Sequence, residues 1–193
     1  AYEFGVFSAI ALLVLNASNA LTKFSTSLML PPLARSRGVK FNRIFNYFTA
    51  SMIAIALVSG LVLLFLGEWI IALFYGDNYI ISGLTGAFAL LFAARIMRFP
   101  VTVAAISKGI TVIPLISNIA RLSGVALAFW AAISHASLVY VVLSGAIGEY
   151  AAFIVGNILF RRHYISFGLT ILWSTMMIIV IGLVYYWGYL SGA

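Results

Sequence analysis

Cysteine is absent from the 193 residues, histidine occurs twice, and aspartate and glutamate together number four. The first absence excludes disulfides, thiolate metal sites and a cysteine nucleophile. His135 and His163 fall near the ends of different predicted segments, so neither a histidine metal centre nor a serine–histidine pair takes shape. Carboxylates are as poorly placed for catalysis. Glu149 stands alone at the middle of a segment, while Glu3, Glu68 and Asp77 lie near segment ends. A glycine-rich phosphate loop followed by Lys and Ser or Thr is also missing, which argues against ATP hydrolysis within the chain. Binding and translocation suit this inventory better than bond making, and the expectation is a non-enzyme without cofactor or metal.

Charge of either sign is rare. Charged residues make up 8% and hydrophobic residues 64%, and the mean hydropathy is +1.15. A water-facing surface would need far more charge, so the chain reads as a single transmembrane domain over residues 1–193, an all-α integral membrane protein. The formal net charge of +7 does not point to nucleic acid, because the basic residues divide between loops and helix interiors.

Six segments read as membrane-spanning helices: residues 4–29, closing at Pro31-Pro32, then 47–74, 80–107, 110–133, 137–160 and 164–190. Each is long enough for a hydrocarbon core of about 30 Å at 1.5 Å per residue. Arg35, Arg37, Lys40 and Arg43 lie between the first and second, Lys108 between the third and fourth, and Arg161 and Arg162 between the fifth and sixth. The alternate loops carry Asp77 and the Ser134-His135 link. Basic loops face the cytoplasm, so the N-terminus of the chain is expected on the outer side of a bacterial or archaeal cytoplasmic membrane. That orientation, with Ala1 at the start, suggests a piece of a longer protein. The stretch from Lys40 to Tyr47 (KFNRIFNY) suits a membrane-proximal anchor, or else a short interfacial helix.

Four cations interrupt the apolar segments: Lys23, Arg95, Arg98 and Arg121. A charge at mid-bilayer costs roughly 2.5–3.5 kcal/mol on insertion scales, so these side chains should face the bundle interior or a hydrated cavity. Arg95 and Arg98 are three residues apart and share a helix face. Glu149 offers a partner to Arg121 or Arg95, but one carboxylate cannot neutralise three guanidinium groups. The surplus favours a cationic cavity for phosphate or pyrophosphate, for which the planar guanidinium fork is well shaped. The plainer alternative is structural, with Arg121–Glu149 fastening two helices and the other cations snorkelling. Asn16, Asn19 and Lys23 form a polar stripe on the first segment, and Asn118 shares a side of the fourth with Arg121. Pro100 and Pro114 are positions where helices could bend. Ser144, Gly145 and Gly148 form a small-residue patch suited to close helix packing.

With those segments placed, the chain resembles the polysaccharide and lipid-linked oligosaccharide flippases of the multidrug/oligosaccharidyl-lipid/polysaccharide exporter superfamily. The similarity rests on the opening Tyr2-Glu3-Phe4-Gly5-Val6-Phe7-Ser8, on Pro31-Pro32-Leu33-Ala34-Arg35 with its basic loop, and on the turn Leu73-Phe74-Tyr75-Gly76-Asp77-Asn78-Tyr79. It implies a fragment covering approximately the second to seventh helices of such a protein. It also implies alternating access that moves a polyprenyl-diphosphate-linked glycan outward. The implied cavity residues that meet the diphosphate are Arg95, Arg98 and Arg121; the reading of the residues adds Glu149, Lys23, Asn19 and Asn118 as candidate substrate-binding residues. Implied partners are the anionic lipid-linked glycan, membrane lipids and glycan-synthesis proteins. Competing readings are a multidrug exporter of the same superfamily, for which acidic coupling groups would be expected, a non-transporting membrane scaffold, and an integral-membrane glycosyltransferase.

Overall fold

The computed structural model describes residues 2–81, 83–134, 137–161 and 182, with side chains from Gly5 onward. His135, Arg162, His163 and, apart from residue 182, the sixth predicted segment, 164–190, lie outside the described residues. Among the described residues there are five long helices: α1 (Tyr2–Arg35), α2 (Gly38–Tyr75), α3 (Leu84–Ser107), α4 (Val112–Ile133) and α5 (Leu138–Arg161). All five are long and apolar enough to cross a membrane, and no strand occurs among the described residues. The fold is all-α, as its composition demands, because lipid offers no partner for unpaired backbone groups.

Two boundaries differ substantially from the sequence reading. Helix α1 does not close at Pro31-Pro32 but continues through both prolines to Arg35. Their fixed φ is compatible with a helix, and although each ring removes a donor and crowds the carbonyl four residues back, the helix continues. The turn comes at Ser36-Arg37, where the Ser36 amide still donates to Pro32 O at 3.1 Å and Arg37 is extended, with φ −136°. KFNRIFNY is no separate interfacial helix; it forms part of the opening turns of α2. At 38 residues, α2 is about 57 Å long. That exceeds the hydrocarbon thickness, so its basic first turns project beyond the apolar slab. Pro114 is the third residue of α4, where the missing N–H would have no intrahelical acceptor, so it starts the helix rather than bending it. Pro100, by contrast, is buried within α3.

Helix α3 is the centre of the bundle, packing against α1, α2 and α5, while α4 leans mainly on α5. Small side chains make this possible: Ala87, Ala89, Ala93, Ala94, Ala104 and Ala105 are all buried on α3. Phe7 of α1 meets Phe88 of α3 with ring centroids 5.7 Å apart. Gly83, at φ +77°, supplies the left-handed turn into α3, a conformation that would strain a residue bearing a Cβ.

The α4–α5 contact depends on glycine for a different reason. A Cβ on Gly148 would lie 2.7 Å from Arg121 O and 2.8 Å from Gly124 Cα, and one on Gly124 would lie 2.6 Å from Ser144 O. The two backbones therefore touch at this crossing, the small-residue packing that membrane helices use in place of a hydrophobic driving force. Ser144 and Gly148 belong to the close-packing patch expected from sequence, whereas Gly145 turns toward Leu91 of α3.

Candidate functional site: the arginine face at mid-depth

Arg95, Arg121 and Glu149 each stand near the middle of their helices, as does Asn19 on α1. The pairing among them agrees with the sequence reading for Arg121 and differs for Arg95, whose place beside the carboxylate is taken by Arg98. Glu149 pairs with Arg98, whose Nε lies 2.9 Å from Oε2, and with Arg121, whose Nη1 lies 3.6 Å from Oε1. Arg95 instead donates from Nη2 to Asn19 Oδ1 at 2.8 Å. Three residues on a helix turn 300°, leaving Arg95 and Arg98 about 60° apart. That angle sends one toward α1 and the other toward α4 and α5. Arg98 also donates from Nη1 to Asn118 Oδ1 at 2.9 Å, so residues of α3, α4 and α5 meet in one polar node.

The node is unevenly buried. Glu149 is buried, the Arg98 side chain is 17% exposed, and that of Arg121 is 43% exposed. Glu149 Oε2 accepts no hydrogen bond despite its 2.9 Å approach to Arg98. That contact is an ion pair whose N–H is not aimed at the oxygen. At 3.6 Å the Arg121 contact is likewise coulombic. Two guanidinium groups thus share one carboxylate and the third, that of Arg95, has a neutral partner, Asn19, as Arg98 has in Asn118.

Asn16, Asn19 and Lys23 on α1 and Asn118 on α4 are exposed, and Lys23 makes no ion pair among the described residues. The hydroxyls of α1 largely satisfy themselves: Ser18, Thr26 and Ser27 donate to Leu15 O, Thr22 O and Lys23 O of their own helix. Apolar cavities among the described residues include one of about 570 Å³, lined by α1 and α2 with Phe92 of α3, and one of about 440 Å³ between α4 and α5 near Trp130 and Tyr140. Neither is lined by an arginine. Lys23, Asn19 and Asn118 are exposed and Arg95 and Arg121 are part-exposed, so these polar side chains of α1, α3 and α4 reach the surface of the bundle.

At the basic end of the bundle a second constellation went unnoticed in the sequence. The Lys108 ammonium donates to Ser36 O and stands 4.5 Å from the centre of the Phe41 ring. Phe45 stacks along Phe41, and Phe160 of α5 tilts against both. The α1–α2 turn, the α3–α4 loop and the end of α5 therefore share one end of the bundle, as the alternation of basic loops requires. Desolvation, and secondarily the Arg37 charge, pull the Lys108 ammonium below its ordinary pKa; the carbonyl and the ring offset that cost. The clue in the sequence was the aromatic run of KFNRIFNY beside a basic loop. No family model, curated protein or solved structure matches this chain.

Proposed function

We propose that this chain forms the cation-lined face of a flippase that carries a polyprenyl-diphosphate-linked glycan across a cytoplasmic membrane, with its basic loops toward the cytoplasm. The observation behind this reading is the surplus of guanidinium groups over carboxylate at mid-depth, with Arg95 and Arg121 part-exposed. A diphosphate is the natural complement. It brings several charged oxygens, suits the planar fork of arginine, and gains most from charge attraction where water is scarce. The lipid tail stays in the bilayer while the headgroup passes Arg95 and Arg121, and the exposed Asn19 and Asn118 amides are placed to meet the headgroup. No bond is made or broken.

The test is transfer of a fluorescent polyprenyl diphosphate between leaflets of vesicles containing the protein, read by quenching from outside. The intact protein should accelerate transfer, and Arg95→Gln and Arg121→Gln should each slow it at least ~10-fold while the protein stays folded. Equal rates for wild type and variants would remove the cationic face from the mechanism. A second reading, a static clasp within a non-transporting scaffold, draws support from the close Arg98–Glu149 pair. Under it, Arg98→Gln costs folded protein and the vesicles transfer no lipid.

A further inference from the structure

We infer that Glu149 is a built-in counter-anion that occupies Arg121 until an anionic headgroup displaces it, so that the carboxylate sets the affinity of the site by competition. The inference rests on the diphosphate reading above and assigns Glu149 a role opposite in sign to that of the arginines.

Three features of the node carry it. First, the carboxylate is held asymmetrically, close to the more buried Arg98 at 2.9 Å and loosely to the more exposed Arg121 at 3.6 Å. Second, Arg98 has a further anchor in Asn118, which fixes its guanidinium from the other side. Arg121 has Glu149 as its ion-pair partner, with nearly half its side chain exposed. Third, the Gly124–Gly148 crossing places the backbone of Arg121 directly against α5, so the root of this side chain is fixed while its tip can swing. Arg121 can leave the carboxylate without moving a helix, and Glu149 still keeps Arg98 when it does. The charges facing Glu149 are Arg98 from α3 and Arg121 from α4, with Arg95 further off and committed to Asn19.

An anion that approaches Arg121 must therefore compete with a resident negative charge. Such a competitor weakens adventitious binding and speeds release. It also keeps Arg121 from standing uncompensated at mid-membrane in the empty protein, where an unpaired cation is costly.

Binding of inorganic pyrophosphate and of farnesyl diphosphate to the detergent-solubilised protein, by calorimetry, tests this. Glu149→Gln keeps the shape and removes the charge; it should tighten both ligands by ~10-fold, within the usual range for coupled sites. The gain should be largest at low ionic strength and shrink as salt is added, which a merely loosened structure would not reproduce. Arg121→Gln should weaken both ligands and cancel the gain in the double variant. The two ligands share a headgroup, so a gain with only one overturns the inference, and the tighter of the two tells whether the ligand is lipid-borne or free. If Arg121→Gln abolishes binding but Glu149→Gln leaves it unchanged or weaker, the competition is wrong and the diphosphate site stands. If neither wild type nor any variant binds, both fall. Should Glu149→Gln not fold, Glu149→Asp, which draws the charge back from Arg121, must show a smaller gain with the same salt dependence, or the inference fails.

Discussion

Among the described residues the cations of the basic end and the arginines at mid-depth are treated differently, while Lys23 of α1 lies exposed without an ion pair. At the basic end Arg35, Arg37, Lys40 and Arg43 are exposed, where water and lipid headgroups solvate them and no protein partner is required. At mid-depth Arg95, Arg98 and Arg121 each reach a side chain on another helix. Side chains of one chemical class thus lie loose on the surface in one region and tie helices together in the other. The environment decides, because a charge that headgroups would solvate at the end must be solvated by protein, trapped water or ligand in the middle. Lys108 falls between the two cases, at the basic end yet engaged by a carbonyl and a ring.

The sharpest break in this contrast should come from Glu149→Ala. It leaves Arg98 and Arg121 without their shared carboxylate, and removing one partner of a buried pair costs about 3–5 kcal/mol. Chemical unfolding in mixed micelles should show a loss of that order, and an unchanged midpoint would mean that the node is solvated from outside. Next in size is Gly148→Val, which forces α4 and α5 apart because its Cβ would lie 2.7 Å from Arg121 O and 2.8 Å from Gly124 Cα. Overpacking of this kind costs about 1–3 kcal/mol. It should also free Arg121 from Glu149, visible as faster modification of one arginine by phenylglyoxal. The smallest effect belongs to the basic end. Lys108→Met should cost about 0.5–1 kcal/mol, as expected for a partly exposed cation over a ring, whereas Arg43→Gln should leave the midpoint where it is. If the two proved equal, Lys108 would belong with the loose surface cations.

The helices were legible because each is a long apolar run, and a membrane leaves the backbone no alternative to satisfying itself within the segment. Arg95, Arg121 and Glu149 could be placed at mid-depth by counting along those runs. The ends were less legible. Pro31-Pro32 reads as a stop, because each ring removes a donor and crowds the preceding turn, yet α1 passes through both to Arg35. The KFNRIFNY stretch looks amphipathic enough to lie flat in an interface, but Phe41, Phe45 and Phe48 are buried in the core and keep it in line with α2. The partner of Glu149 was least legible. Arg95, Arg98 and Arg121 lie at similar depths, and a choice among them depends on which way each helix faces.

The sequence alone determined that the chain is helical, that it belongs in a bilayer, and that positive charge outnumbers negative at its middle. These properties follow from composition and from position along each segment. Tertiary structure decided which arginine holds the carboxylate, that Asn19 and Asn118 take up two of the cations, and that α4 and α5 cross backbone to backbone. Those outcomes depend on the rotation of each helix about its own axis. Rotation is set by packing around α3 and by glycine contacts from other segments, and no single stretch of sequence contains it.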